Sequence, residues 1–327
     1  MIEITYFFRN FQAGFSISKV FNTLIDEIEK SKSVERLEVP FRRSGLFDIL
    51  RNIHFVFKNR NKSGINHITG DIHYCIIGLI GCKSVLTIHD LSAYNFPKNI
   101  LKKYIVRILW FDIPLLIADE VVCISNHVRS DLEKISNRRD IKVVYNAIDP
   151  IFSRIEKEFD ITNPVLLQLG TAWNKNLPTL IDSLVDINCN LRIVGNVQHE
   201  LIQKMLDKNI RFTIVSGLTD MEIVDEYKNC DIVCFCSLFE GFGMPIIEAN
   251  ATGRVVLSSN IEPMKEVSND AAFLVDPKDI NSINQGLRRI ILEKDLRDEL
   301  IQNGDLNILR FQVNVISKLY LDIYTRI

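Results

Sequence analysis

The sequence predicts an α/β chain of two parallel-sheet domains followed by a C-terminal helix, and three observations carry that expectation. Short β-branched and aromatic runs alternate with segments of helical apolar spacing along most of the chain, the pattern of buried strands with helices packed over them. At 327 residues the chain is too long for one ordinary α/β core and suited to two. The acidic, proline-containing stretch 150–164 has no sustained period and reads as linker. The expected domains are therefore 1–150 and 151–307, with a C-terminal helix over 308–327 that can pack back on the first domain.

Composition narrows the class. A hydrophobic content of 47% with 24% charged residues is that of a soluble globular protein, which excludes disordered and collagen-like chains. The seven cysteines are odd in number, sit mostly in apolar strand-like runs and show no metal-type pair spacing, so they read as buried thiols in a reducing compartment. Glu3 and Thr5 interrupt the N-terminus, which lacks the signal-peptide pattern. The apolar stretch 105–118 is broken by Arg107, Asp112 and Pro114 and falls short of the ~20 residues a spanning helix needs. The expectation is a cytoplasmic protein. Residues 1–150 carry 21 Lys/Arg against 16 Asp/Glu (+5), leaving 18 against 25 (−7) for residues 151–327, so the first half could face an anionic partner.

Residues 4–8, ITYFF, form a first strand, and the apolar residues Phe15, Val20, Phe21, Leu24, Ile25 and Ile28 then recur at helical spacing. Gly14 stands before that helix, where a backbone either approaches a ligand or turns. Residues 42–62 combine six basic residues and one acid with a Leu/Phe/Ile/Val set. Such a stretch can lie on anionic lipid, or be an ordinary core-facing helix with a solvated basic face, which is the reading adopted. Residues 65–70 form a strand holding His67, and residues 73–90 a helix and then the strand SVLTIHD, closed by His89. Ligands bind beyond the carboxyl ends of parallel strands, which is where His89 and Asp90 lie, although a lone histidine is more often structural. Residues 100–119 read as helices broken at Pro114, EVVCISN as a strand ending at Ser125, HVRSDLEKI as a helix and IKVVYNAID as a strand entering a turn.

The second series opens with the strand PVLLQLGT and the helix LPTLIDSLV. It continues with LRIVGN, a helix over 198–208, RFTIVSGL, the helix DMEIVDEYKN, the strand at 231–236, RVVLSSN and AFLVDP. The tail 306–327 is amphipathic and reads as a terminal helix. No repeat of 20–50 residues occurs, which excludes solenoids and propellers. Within this series, residues 231–249 (DIVCFCSLFEGFGMPIIEA) form a strand, a glycine loop and a helix with Pro245 in its first turn. Unpaired N–H groups at that helix start, around Gly243 and Met244, suit an anion such as a diphosphate. Glu240 precedes the site, and Glu248, three residues past Pro245, can accept hydrogen bonds from hydroxyls. The arrangement suits a sugar nucleotide.

These residues resemble the retaining glycosyltransferases of family 4. EGFGMPIIEA (240–249) matches that family's pattern of Glu, Gly, Phe, Gly, an apolar residue, Pro, two further residues and Glu. TIHDLS, VCISNHVRSDL, YNAID, LGTAWNKNL and AFLVDP support it in order. The resemblance implies a GT-B fold, two Rossmann-like domains facing across a cleft, and a metal-independent hexosyltransferase. It would use a UDP- or GDP-linked sugar as donor, need no cofactor, and act with retention on a glycan or lipid-linked acceptor. No nucleic-acid partner is expected, and an anionic membrane surface is a further candidate partner.

By the same resemblance Glu248 binds the donor ribose, Glu240 sits against the donor sugar, and Gly243 and Met244 offer amides to the diphosphate. Lys175, beside Thr171 in the loop after the first strand of the second domain, is the phosphate-binding cation. Gly14 approaches sugar and phosphate, His89 contacts the transferred sugar, and residues 216–218, ending at Leu218, hold the base. Two other readings stay open: a non-catalytic subunit binding sugar nucleotides or glycans, and a GT-B sugar-nucleotide epimerase.

Overall fold

The computed structural model describes residues 3–11, 16–43, 45–96 and 99–327. They divide into two compact units, the first made of residues 1–147 with 312–327 and the second of residues 148–311. The chain leaves the first unit, builds the second and returns.

In the first unit six parallel strands, β1 (Ile4–Phe8), β2 (Val34–Glu38), β3 (Ile65–Thr69), β4 (Ser84–Ile88), β5 (Glu120–Cys123) and β6 (Ile141–Val143), form one sheet in the order β2-β1-β3-β4-β5-β6. β1 and β4 are buried along their whole length, as strands covered on both faces must be. β2, at the edge, is largely exposed and has no apolar alternation, which is why its sequence did not announce it. The helices are α1 (Ser16–Ile28), α2 (Leu46–Asn59), the single turn α3 (Ser92–Asn95), α4 (Ile100–Val106), α5 (Ile113–Ile117) and α6 (Asn126–Ile135). A 3₁₀ stretch, His73–Leu79, follows β3. Pro114 does not break the helical run as expected. It occupies the first turn of α5, where its missing N–H is harmless, and the run changes register earlier through the π-helical segment Arg107–Asp112.

The second unit contains β7 (Val165–Leu169), α7 (Leu177–Ser183), β8 (Asn190–Val194), α8 (His199–Asp207), β9 (Arg211–Val215), α9 (Asp220–Asn229), β10 (Ile232–Phe235), α10 (Met244–Thr252), β11 (Val255–Ser259), α11 (Met264–Ser268) and β12 (Phe273–Val275). α12 (Ile280–Leu292) and α13 (Lys294–Asn307) complete it. Its parallel sheet has the order β12-β11-β10-β7-β8-β9, so β7 and β10 flank the point where the winding reverses. Leu166, Leu191, Ile232 and Leu257 from the strands meet Leu180, Ile283 and Leu287 from the helices in its core.

α14 (Val313–Arg326) belongs to the first unit. Ile316, Tyr320, Ile323 and Tyr324 pack against Phe21, Leu24 and the strand residues Tyr6 and Val85. The contact is also polar: His67 Nδ1 lies 2.7 Å from the Tyr324 hydroxyl and its Nε2 2.8 Å from Thr87 Oγ1, while the Tyr6 and Tyr324 hydroxyls are 3.0 Å apart. Each buried polar group thereby has a partner, which offsets its desolvation. All seven cysteines are free and six are buried.

Candidate functional site

In the second unit the sequence-predicted residues gather at the carboxyl edge of the sheet. Three neighbouring strands, β7, β8 and β9, each run to a glycine with positive φ, Gly170 (81°), Gly195 (140°) and Gly217 (71°). At Gly170 the requirement is spatial as well as conformational: an added Cβ would stand 3.4 Å from Cγ and Cε of Lys175, whose stem lies across the glycine. The loop then forms the 3₁₀ turn Trp173–Lys175 and enters α7 through Asn176, itself left-handed at φ 58°.

Two asparagines fasten this loop to its neighbours. Buried Asn176 donates to the carbonyls of Cys236 (3.0 Å) and Pro277 (2.6 Å), tying the β7 loop to the ends of β10 and β12. Asn174 donates to the Phe239 carbonyl at 2.9 Å and to Glu240 Oε1 at 3.2 Å, and its own carbonyl accepts from Leu238 N at 2.8 Å. Lys175 Nζ is thereby held 2.7 Å from Glu240 Oε1 and 5.0 Å from the centre of the Phe235 ring. With 22% and 16% of the two side chains accessible, the pair is partly desolvated. The structure thus joins two residues that stand 65 positions apart in sequence, at the topological switch point of the sheet.

Beyond Glu240 the loop reaches Gly243, the N-cap of α10, at a φ of 135°; a Cβ there would stand 3.2 Å from Ile246 Cδ1. Met244 and Pro245 open the helix. Glu248, one turn in, accepts a hydrogen bond from the Tyr227 hydroxyl of α9. Tyr227 is fully buried, and burial together with the neighbouring carboxylate pushes its phenol well above the ordinary value, so it remains a donor. Thr171 hydrogen-bonds the Asn196 carbonyl (2.7 Å) rather than the Lys175–Glu240 pair, and Leu218 lies past β9, two strands from β7.

His89 belongs to the first unit, just past β4. It is 7% exposed, meets Phe21 edge-on at 5.7 Å, and has no hydrogen-bond partner at Nε2 among the described residues. Burial pushes its pKa to about 3 against the pull of Asp90, so the ring is neutral at physiological pH. Gly14 lies outside the described residues. Sequence reasoning does not reach Asn176 and Tyr227: an asparagine that bolts two loops together has no sequence signature beyond its tolerance of a left-handed backbone, and Tyr227 reads as one more core residue on α9.

Two Rossmann-like units of this kind define the GT-B class, and solved structures agree. The HepE protein of Anabaena, in complex with UDP and glucose, superposes with a TM-score of 0.80 over 100% of both chains at 17% identity. The chain belongs to glycosyltransferase family 4: residues 32–152 match the family profile described as "Glycosyltransferase Family 4", and residues 152–306 that described as "Glycosyl transferases group 1". Among relatives it is 26% identical over 217 residues (63% of this chain, 60% of the relative) to the O-antigen chain mannosyltransferase RfbU of Salmonella typhimurium. It is 38% identical over 249 residues (66% of this chain, 29% of the relative) to the serotype-specific mannosyltransferase WbdA of Escherichia coli. The matched part spans less than two thirds of the length of either relative.

Proposed function

We propose that the protein is a retaining, metal-independent glycosyltransferase that moves a sugar from a nucleoside-diphosphate sugar to a hydroxyl of a glycan or lipid-linked acceptor. The observation that carries this reading is the Lys175–Glu240 pair, fixed by Asn174 beside the start of α10, with Glu248 one turn further in. A departing diphosphate needs its charge neutralised. Lys175 supplies one cation already oriented by Glu240, and the first amides of α10 supply partial positive charge along the helix axis. Because Glu240 already offsets much of the lysine charge, the helix start carries a substantial share of the task. Glu240 is then a donor-positioning group that also aims Lys175, and Glu248, held by Tyr227, is oriented to accept from ribose hydroxyls. His89, neutral and with Nε2 unpartnered among the described residues, suits a sugar hydroxyl. The donor is the only small molecule the reading requires, and the relatives, an O-antigen chain mannosyltransferase and a serotype-specific mannosyltransferase, favour mannosyl transfer to a glycan.

The decisive experiment is a thermal-shift and hydrolysis screen over UDP- and GDP-sugars. Stabilisation together with slow release of free nucleotide is expected; stabilisation without release indicates a binding subunit, and neither overturns the reading. Turnover that a chelator abolishes and Mn²⁺ restores overturns metal independence. Glu248→Ala should weaken nucleotide binding at least tenfold, as expected when a carboxylate with charge-assisted hydrogen bonds is lost.

The first unit also offers a surface for a membrane-linked acceptor. Among the described residues no helix is long and apolar enough to cross a membrane. α2 nevertheless does more than present a solvated basic face: it buries Ile49, Asn52 and Val56 and leaves Leu46, Phe47, Leu50 and Phe57 more than half exposed, with Arg51 and Lys58 on the same helix. α4 exposes Ile100, Leu101 and Tyr104 beside Lys102 and Lys103. Apolar residues flanked by cations suit an anionic lipid surface. Flotation with liposomes that contain anionic lipid, and none with neutral ones, is the expected result; equal behaviour with both refutes it.

A further inference from the structure

The first sheet has a switch point of its own, between β1 and β3, and a set of buried polar atoms with no partner among the described residues lies around it. The register Phe8↔Thr69 and Thr69↔Thr87 sets the exits of β1, β3 and β4 side by side, so Arg9, the turn Gly70–Asp71 and His89 share one carboxyl edge. Arg9 packs against the turn, its Cδ 4.0 Å from where a Cβ on Gly70 would lie, and its Nη1 makes only a long 3.5 Å contact with exposed Asp71. His73 opens the 3₁₀ stretch that follows.

His73 is 3% exposed, and its ring is fixed from two sides. Its Nδ1 lies 2.9 Å from the Trp110 carbonyl, the Trp110 indole donates to the Asp71 carbonyl at 2.6 Å, and Phe111 meets the imidazole edge-on at 5.6 Å. A carbonyl can only accept, so Nδ1 carries the proton and Nε2 is a bare acceptor. That Nε2 is buried without a hydrogen-bond partner among the described residues, as are the Nε2 of His89 and the N–H of Arg9 Nε. Leaving a buried donor or acceptor unpaired is unfavourable, and three such atoms at the switch point of a parallel sheet mark a place where a polar ligand completes the hydrogen bonding.

We propose that His73 is a second hydroxyl-binding histidine, its Nε2 accepting a hydrogen bond from a sugar hydroxyl held at the carboxyl edge of the first sheet, with Arg9 donating to the same sugar. The inference rests on the glycosyltransferase reading and adds to it a residue that neither the sequence motifs nor the comparisons assign. A sugar matches the site because it offers both hydroxyl donors for imidazole nitrogens and oxygen acceptors for the guanidinium; the ionised diphosphate of a nucleotide sugar has no O–H to donate to Nε2.

The test uses His73→Asn, whose amide nitrogen stands where Nδ1 stood and keeps the bond to Trp110 while Nε2 is removed, and His73→Gln, which restores a polar atom near the Nε2 position. Steady-state transfer and donor hydrolysis are measured for both, with binding of plain UDP or GDP as the control. His73→Asn should raise one KM about tenfold with nucleotide affinity unchanged, and His73→Gln should recover part of the loss. A rise in donor KM places the hydroxyl on the donor sugar, and a rise in acceptor KM places it on the acceptor. Kinetics equal to the parent, or a drop in melting temperature with both KM values and kcat unchanged, overturn the assignment alone. No turnover in the parent with any nucleotide sugar overturns the glycosyltransferase reading and this assignment with it.

Discussion

Mild acid should unfold the first unit well before the second. His67 and His89 are buried there, and burial pushes both imidazoles down to about 3, whereas a histidine in an unfolded chain titrates near ~6.5. Between these values the unfolded chain binds protons that the folded unit refuses. Stability is therefore complete above pH ~6.5 and falls as the pH drops toward 3. Each imidazole contributes about 1.4 kcal/mol per pH unit, so the two together remove about 4 kcal/mol between pH ~6.5 and ~5. That is a large share of the roughly 5–15 kcal/mol by which a domain is stable. Burial lowers His73 as well, which adds in the same direction. The second unit contains a single histidine, His199, exposed on α8. Urea unfolding at several pH values, read by hydrogen exchange and mass spectrometry so that peptides of β3 and β4 are followed separately from those of β7 and β10, provides the measurement. Equal losses in the two units, or a first unit whose stability is flat from pH ~6.5 to ~5, would refute the reasoning.

Three further outcomes are expected. Lys175→Met should lower kcat by about 10²–10³, the effect of removing one preorganised charge from a developing anion, while changing stability by only about 1 kcal/mol because the ion pair is partly exposed; a loss of kcat below about threefold contradicts the role given to the lysine. Tyr324→Phe leaves His67 Nδ1 without its 2.7 Å partner and should cost about 1–3 kcal/mol in the urea unfolding of the first unit, with the second unit unaffected. Tyr227→Phe removes the donor that orients Glu248 and should reduce nucleotide affinity severalfold in a calorimetric titration; unchanged affinity would show that Glu248 needs no such support.

Much of the fold was legible because buried parallel strands are written as short apolar runs: β1, β4 and β11 are buried along their whole length, and each was readable from its residues. Where an element is not buried on two faces the signal fades. β2 has two of five positions only partly buried and the rest exposed, so no apolar run marks it. α12 does carry a helical period, with Ile283, Leu287, Ile290 and Ile291 on one buried face, a signal the sequence reading does not use, whereas α13 is weakly patterned and buries Arg297 and Asn307 beside Leu300. The π-helical segment at Arg107–Asp112 was likewise out of reach, since local propensity distinguishes helix from strand but not one helical register from the next.

The sequence by itself determined the α/β class, the strand–loop–helix at 231–249 and the residue types able to meet a nucleoside diphosphate, because strand burial, glycine turns and helix starts are local properties of a chain. Which of those residues meet was decided only by the tertiary structure. Lys175 reaches Glu240 because β7 and β10 are neighbours across the winding reversal, α14 returns to the first unit because His67 and Thr87 offer its tyrosines hydrogen bonds, and His73 is fixed by a tryptophan 37 residues away. These are pairings between distant segments, specified by sheet order and by the need of buried polar groups for partners, and no local pattern records them.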